Sequence, residues 1–379
     1  MDTKNSLGTA KIHQTSIDES IDQLTLEKKL LDEIQNILIT DDFYEKKFFD
    51  YLKENKKLIF SINKHEELYC SKISDVNHLF KYLCFRYKFR ESGKRKIVFD
   101  LPMYLLIEPV STCNLRCPFC FQTDKSFTRK PYMGLMKFEL FKKILDEADE
   151  NKVGAITFAS RGEPTLHKQL GEMLEYASNK RNIFEIKLNS NATFLREELI
   201  HKILRSRLTQ IVISADHYEK TNYERLRLGA NYEQILKNVD NLYKIREKDY
   251  PQSNLEIRIS GVDADRNIDR KAFKNFWIKR SDHVSIGLPM ERWNTYKNKI
   301  HDDITDPCEK LWDRMYIWFD GKVNPCDADY KSNLSFGDVS KDSLKNVWKS
   351  DKIKILREKH LNKERLKFNP CDRCGVTFE

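Results

Sequence analysis

Apolar residues recur every three to four positions from Leu24 to Leu38 and from Phe43 to Leu58, a spacing that predicts amphipathic helices. Strand signals are few in this part, so residues 1–98 read as a mostly helical N-terminal region. It ends in the basic stretch Arg90–Lys96, read as a linker. The pattern then changes. Leu101–Pro109, Val153–Ala159, Phe184–Leu188, Leu208–Ala215, Leu255–Gly261 and His283–Pro289 are short apolar runs with strand character. Between them lie helical periodicities over Leu135–Asn151, Leu166–Lys180, Leu195–Arg207, Tyr232–Lys248 and Arg270–Lys279. Strands alternating with helices predict βαβ units on a parallel sheet. Right-handed crossovers would curl six such units into a partial (β/α)6 barrel over residues 99–299. An α/β fold of this kind places its chemistry on the loops after the strands. In the remaining region, 300–379, Trp312, Tyr316, Trp318 and Phe319 read as a small core, Asp320-Gly321 as a hairpin turn, and the stretch near Asp342–His360 as a helix.

Composition narrows the class. With 40% apolar and 33% charged residues the 379-residue chain reads as globular and soluble. No apolar run approaches the roughly 18 residues of a membrane span, and Met1–Ser20 lacks the apolar core of a signal peptide. A cytoplasmic location with no membrane partner is expected. The net charge of +9 is spread along the chain, with a local concentration at Lys88, Arg90, Lys94, Arg95 and Lys96. That distribution describes a solvated lysine-rich surface better than a nucleic-acid footprint.

Nine cysteines in a chain of this kind point to metal ligands or catalytic groups, because disulfides are disfavoured in the cytosol. Seven form two groups, Cys113/Cys117/Cys120 and Cys308/Cys326/Cys371/Cys374. Cys70 and Cys84 lie in apolar-aromatic sequence and read as buried small hydrophobes. The first group, Cys113-Asn-Leu-Arg-Cys117-Pro-Phe-Cys120, directly follows the first strand. Three thiolates on one loop can hold three irons of a four-iron cluster and leave the fourth open. Zinc is the alternative, although a structural zinc site wants four ligands.

This loop, with aromatic Phe119 before its last cysteine, resembles the signature of the radical S-adenosylmethionine (SAM) superfamily. The resemblance extends over about residues 101–379. Arg161-Gly162-Glu163-Pro164 after the second strand resembles the family's Gly-Gly-Glu-Pro loop, with arginine in place of the first glycine. Asn189-Ser190-Asn191-Ala192-Thr193 is similar to the ribose-contacting loop, and Ser214-Ala215-Asp216 falls in another family contact region. The resemblance implies a 4Fe-4S cluster on Cys113, Cys117 and Cys120. It also implies SAM held by Phe119, Gly162, Glu163, Pro164, Asn189, Asn191 and Ser214, and reductive cleavage to a 5′-deoxyadenosyl radical. The cofactor carries that chemistry, while the protein binds, orients and shields it. An electron donor such as flavodoxin or ferredoxin is expected.

Four thiolates in the second group suit either zinc or a four-iron cluster. The run Pro307-Cys308, Trp318-Phe-Asp-Gly321-Lys-Val-Asn-Pro-Cys326-Asp and Asn346-Val347-Trp348 resembles the SPASM or twitch extension of radical enzymes, which implies iron and sulfur. Full SPASM modules carry further cysteines. This chain ends five residues after Cys374, so one auxiliary 4Fe-4S cluster is expected. If Cys308, Cys326, Cys371 and Cys374 all bind, no auxiliary iron is open, and the cluster serves as an electron conduit. That suits oxidation of an alcohol.

Asp263-Ala-Asp265-Arg-Asn267-Ile-Asp269 starts like a calcium loop but has Ile268 where glycine is required and Lys274 where glutamate is required, so calcium is rejected. Glu108, Asp216, His217, Arg258, Glu291 and Arg292 lie at or beyond strand ends and are the candidate substrate contacts. Asp216 or His217 is the candidate base. Cys70 or Cys84 would be a hydrogen-atom donor only in an epimerase. The expected substrate is a small molecule of polyol type (a sugar, amino-sugar or aminocyclitol), dehydrogenated or epimerised, as in short members of the 2-deoxy-scyllo-inosamine dehydrogenase type. The rivals are a peptide- or protein-modifying maturase and a non-catalytic metal-binding protein.

Overall fold

The computed structural model describes residues 23–289 and 294–376. Four helices come first: α1 (Gln23–Asp32), α2 (Phe43–Asn55), α3 (Lys64–Ser71) and α4 (Val76–Arg95). Their starts are written locally. Asp42 Oδ1 accepts from Glu45 N at 2.9 Å, and Asn63 forms a reciprocal capping box with Glu66. The Arg90–Lys96 stretch is not a linker: Arg90 and Arg95 belong to α4, Arg90 Nη2 lies 2.7 Å from Glu66, and Lys96 reaches Glu309. The helical period simply continues through charged residues that have found partners.

The next elements follow the expected alternation: β1 (Tyr104–Ile107), α5 (Phe138–Glu150), β2 (Ala155–Phe158), α6 (Leu170–Ser178), β3 (Glu185–Ser190), α7 (Glu197–Arg205), β4 (Gln210–Ser214), α8 (Lys220–Leu226), α9 (Tyr232–Asp249), β5 (Glu256–Val262), α10 (Arg270–Trp277) and β6 (His283–Gly287). Helix α8 is an addition that the apolar period did not show. The six strands are parallel neighbours in sequence order and form the partial barrel. Alternate strand residues such as Ile186, Leu188, Ile211, Ile213, Ile257 and Ile259 pack beneath the helices in one core.

The C-terminal elements are α11 (Lys310–Asp313), β7 (Arg314–Ile317), β8 (Lys322–Asn324), β9 (Gly337–Asp338), α12 (Leu344–Trp348) and α13 (Asp351–Leu361). The expected single helix near Asp342–His360 is two. The aromatic residues are not a separate small core either. Strand β7 pairs parallel with β1 on the side away from β2, so one nine-stranded sheet runs β6-β5-β4-β3-β2-β1-β7-β8-β9. Trp312 accordingly joins the barrel core. Gly321, at φ +90°, makes the β7–β8 turn that Asp320-Gly321 predicts.

The N-terminal helices close the barrel at the amino ends of its strands. The Phe85 ring approaches Gly154 so closely that an added Cβ would lie 2.1 Å from it. Tyr82 Oη donates to Glu185 at 2.9 Å, and His65 Nδ1 lies 2.5 Å from Glu256, which also accepts from Gln210 at 2.8 Å. Burial alone would raise the Glu256 carboxyl. The bonds from His65 and Gln210 outweigh it and hold the pKa at about 2, below the ordinary 4.5. A carboxyl depressed in the folded state adds stability above its unfolded pKa and loses it as pH falls through the folded one. This contribution is therefore full at neutral pH and lost between 4.5 and about 2. Glu256→Gln is expected to flatten that part of the Tm–pH curve; an unchanged acid limb would contradict the assignment. Among the described residues, no helix is long and apolar enough to cross a membrane.

Candidate active site at the carboxyl ends of the strands

The loop after β1 carries Cys113, Cys117 and Cys120, and the loops after β2, β3 and β4 converge on it. Main-chain bonds shape it locally: Cys120 N donates to Cys117 O at 3.0 Å, and Leu115 N points at Cys113 Sγ at 3.4 Å. From the β3 side, Asn191 Nδ2 donates to Asn114 Oδ1 at 3.0 Å and lies 3.8 Å from Cys113 Sγ. From the β4 side, Arg116 N donates to Leu228 O at 2.9 Å.

Gly162 sits where the β2 loop crosses the cluster loop. A Cβ there would lie 2.2 Å from Val110 O and 2.6 Å from Thr112 O, and Glu163 N donates to Thr112 O at 2.9 Å. Only glycine allows that approach. Forcing a methyl group into such a contact costs about 1–3 kcal/mol. Gly162→Ala is expected to weaken SAM binding by about tenfold or more, since 1.4 kcal/mol is tenfold in affinity. Equilibrium titration checks this, and an unchanged affinity would refute it.

Glu163 is fully buried, and burial raises its carboxyl pKa. Its Oε1 accepts from Thr165 Oγ1 at 2.6 Å and Ser190 Oγ at 2.8 Å, and its Oε2 from Asn191 N at 2.7 Å. Glu163 thus locks the β2 and β3 loops together. Pro164 is buried behind it, Asn189 is exposed, and Ser214 and Phe119 are half-buried. Asp216 is spoken for: its Oδ2 lies 2.6 Å from Arg227 Nε and its Oδ1 accepts from Val262 N at 2.9 Å. His217 is half-buried, stacks on Tyr218 and accepts from Glu219 N at Nδ1. Burial lowers its pKa and favours the neutral ring. Glu291 and Arg292 lie outside the described residues.

Sequence reasoning missed Arg227. Its guanidinium is buried beside Cys117, whose thiol feels its charge. The available signal was Gly229, whose φ of +94° turns the chain back onto the cluster loop. It also missed what replaces the family's first glycine. Arg161 is 3% exposed. Its Nε donates to Glu108 Oε2 at 2.6 Å and its Nη2 to Oε1 at 2.5 Å; its Nη1 donates to Tyr330 O at 2.8 Å. The guanidinium lies 4.2 Å from the Trp318 ring. Beside it Phe121 stacks on Tyr330 with centroids 5.1 Å apart. The first cysteine loop therefore packs directly against the chain that follows Cys326.

Cys308, Cys326 and Cys371 also come together with Cys374. Burial pushes the first three thiols up, most strongly Cys371, and neighbouring cysteines of the group add to it. Arg365 braces the loop by donating to Cys371 O at 3.2 Å and Cys374 O at 2.8 Å. In the first group, burial pushes Cys113 up to about 12 and raises Cys117. Thiols in such surroundings stay protonated unless a metal centre takes the proton's place. The donor sets, three thiols on one loop and four from three segments of the C-terminal region, thus fit iron–sulfur clusters in number and kind. Cys70 and Cys84 are buried in the N-terminal core, far up in pKa through burial, and join neither group.

Residues 107–250 match the Radical SAM superfamily, and residues 308–375 match SPASM, an iron-sulfur cluster-binding domain. A tungsten-containing aldehyde ferredoxin oxidoreductase cofactor-modifying protein of Pyrococcus furiosus is 32% identical over 30% of this chain, which spans 30% of that relative's length. A GTP 3′,8-cyclase of Aquifex aeolicus is 23% identical over 65% of this chain and 89% of its own. The fold is shared with BtrN, solved in complex with AdoMet and 2-DOIA (TM-score 0.51, 17% identity, 74% of this chain and 95% of that one). It is shared also with Streptococcus suis SuiB bound to precursor peptide SuiA (TM-score 0.58, 15% identity, 92% and 88%). The chain belongs to the radical SAM superfamily, with that family's SAM and 4Fe-4S cofactors and an iron–sulfur cluster-binding SPASM domain at its C-terminal side.

Proposed function

We propose that this enzyme abstracts hydrogen from a small polyol-type substrate held in the barrel lumen, with dehydrogenation or epimerisation as the outcome. When bound at Cys113, Cys117 and Cys120, the cluster and SAM supply the 5′-deoxyadenosyl radical. The protein's part is to position and enclose. Gly162 lets the β2 loop close on the cluster loop, Glu163 and Asn191 join the β2, β3 and cluster loops, and Asn189 and Ser214 stand at strand ends for the cofactor. Cys308, Cys326, Cys371 and Cys374 hold one auxiliary cluster with no open iron, which suits removal of an electron from a substrate radical.

The observation that carries this reading is the polarity of the inner strand face. Asn189, Ser214, Arg258, Ser260 and Ser285 alternate with the apolar residues that pack beneath the helices. Hydroxyl, amide and cationic groups on a lumen wall recognise hydroxylated small molecules. His217, with a neutral ring, is the proposed base, since Asp216 is taken up by Arg227 and Val262 N. The test uses reconstituted enzyme, SAM, a strong reductant and deuterated sugars and cyclitols. Deuterium should pass into 5′-deoxyadenosine from one of them. Transfer from a peptide and from no polyol would overturn the reading.

A second reading, peptide modification, draws on one observation. SuiB, solved with its precursor peptide, aligns over 92% of this chain, whereas BtrN aligns over 74%. The extra length takes in N-terminal helices. Here α3 and α4 are packed onto the barrel floor, and among the described residues that region has no strand to which a peptide could add.

A further inference from the structure

Among the described residues, the lumen wall carries a cation with no carboxylate in contact with it. On β5, Ile257 and Ile259 are fully buried beneath the helices, so Arg258 and Ser260 face inward by alternation. Other cations packed into the barrel meet carboxylates: Arg86 has Glu66 and Glu185, Lys187 has Glu185, and Arg161 has Glu108. Arg258 has the Ser285 hydroxyl, 3.0 Å from Nη2 and 3.4 Å from Nε. The carboxylate whose field reaches it, Glu256, is already held by His65 and Gln210. Arg357 also lacks a carboxylate, but it donates to Leu311 O and Trp348 O and stacks on the Trp348 ring at 4.1 Å. Arg258 has no comparable set.

The surroundings of Arg258 have the form of a binding wall. One register row nearer the cluster loop, Ser214, Ser260 and Ser285 stand side by side on three adjacent strands. In the row of Arg258 itself, Val212 separates it from Asn189. Burial pulls the guanidinium pKa down, yet an arginine stays charged at neutral pH. A half-buried guanidinium bonded to a single hydroxyl keeps donors open to the lumen, and its fork matches carboxylate and phosphate oxygens.

We propose that Arg258 receives an anionic group of the substrate, a carboxylate or a phosphate, so that the substrate is an acidic or phosphorylated polyol. This rests on the lumen being the substrate site, as proposed above. The experiment is a phenylglyoxal footprint of the reconstituted, SAM-loaded wild-type enzyme, read at the Arg258 peptide by mass spectrometry. Inorganic phosphate, glucuronate and glucose serve as protectants. Phosphate or glucuronate should slow labelling about fivefold or more, as mass action gives once a ligand exceeds its dissociation constant several times; glucose should not. Protection by phosphate alone assigns a phosphoryl group, and protection by glucuronate alone a carboxylate. An unlabelled Arg258, labelling indifferent to both anions, or equal protection by glucose overturns the proposal. Release of 5′-deoxyadenosine from the same preparation is scored separately, so failure of the radical reading shows there while the footprint stands.

Discussion

Replacing Cys117 with alanine is expected to abolish release of 5′-deoxyadenosine from SAM and to lower iron by about four atoms per chain, the content of one cubane. Cys117 is the middle cysteine of a loop pinned by Asn191 from the β3 side and by Leu228 O from the β4 side. No other cysteine stands close enough to take over, because Cys70 and Cys84 are in the N-terminal core and the remaining four gather on the C-terminal module. Two ligands do not retain a cubane that three hold with one iron open. Cys374→Ala is the contrast: it should cost the same amount of iron yet leave substrate-free SAM cleavage in place. Release that survives Cys117→Ala would refute the catalytic assignment.

The largest effect on stability is expected at Arg161. Arg161→Ala leaves the Glu108 carboxylate, 0% exposed, with no cation and only Phe319 N as a donor beyond the Arg161 main chain. Removing one partner of a buried pair costs about 3–5 kcal/mol, most of it the penalty on the charge left behind. Removing both together, as Arg161→Met with Glu108→Leu, should cost less, because no uncompensated charge remains. Denaturant unfolding of the two single variants and the double variant measures the difference. Trp318 fluorescence should shift in Arg161→Ala, since the guanidinium lies 4.2 Å from that ring. If the double variant is as unstable as the single one, the pair is not the source of the loss.

The barrel was legible because each of its strands is an apolar run bounded by a helical period, and the cysteine spacing marked the loop after β1. What stayed hidden depends on contacts between distant segments. Arg314-Met-Tyr-Ile is too short a run to declare that it will lie parallel to Tyr104–Ile107, and nothing local to it records that register. Asp216 reads as a free acid in sequence because its partner, Arg227, lies beyond an unforeseen helix. Arg161 reads as a departure from a glycine motif. Its purpose appears only when Glu108, Trp318 and Tyr330 are brought to it from three other segments.

The placement of β7 bears on how this protein can be rebuilt. A cut near residue 300 looks like a natural seam between a catalytic unit and an accessory one, yet it would strip β1 of its outer neighbour and lay open the main-chain edge of the very strand that leads into Cys113. A chimera that imports a foreign cluster module must therefore bring a strand able to dock in that slot, because Cys308 precedes Arg314–Ile317 in the chain and Cys326 follows it.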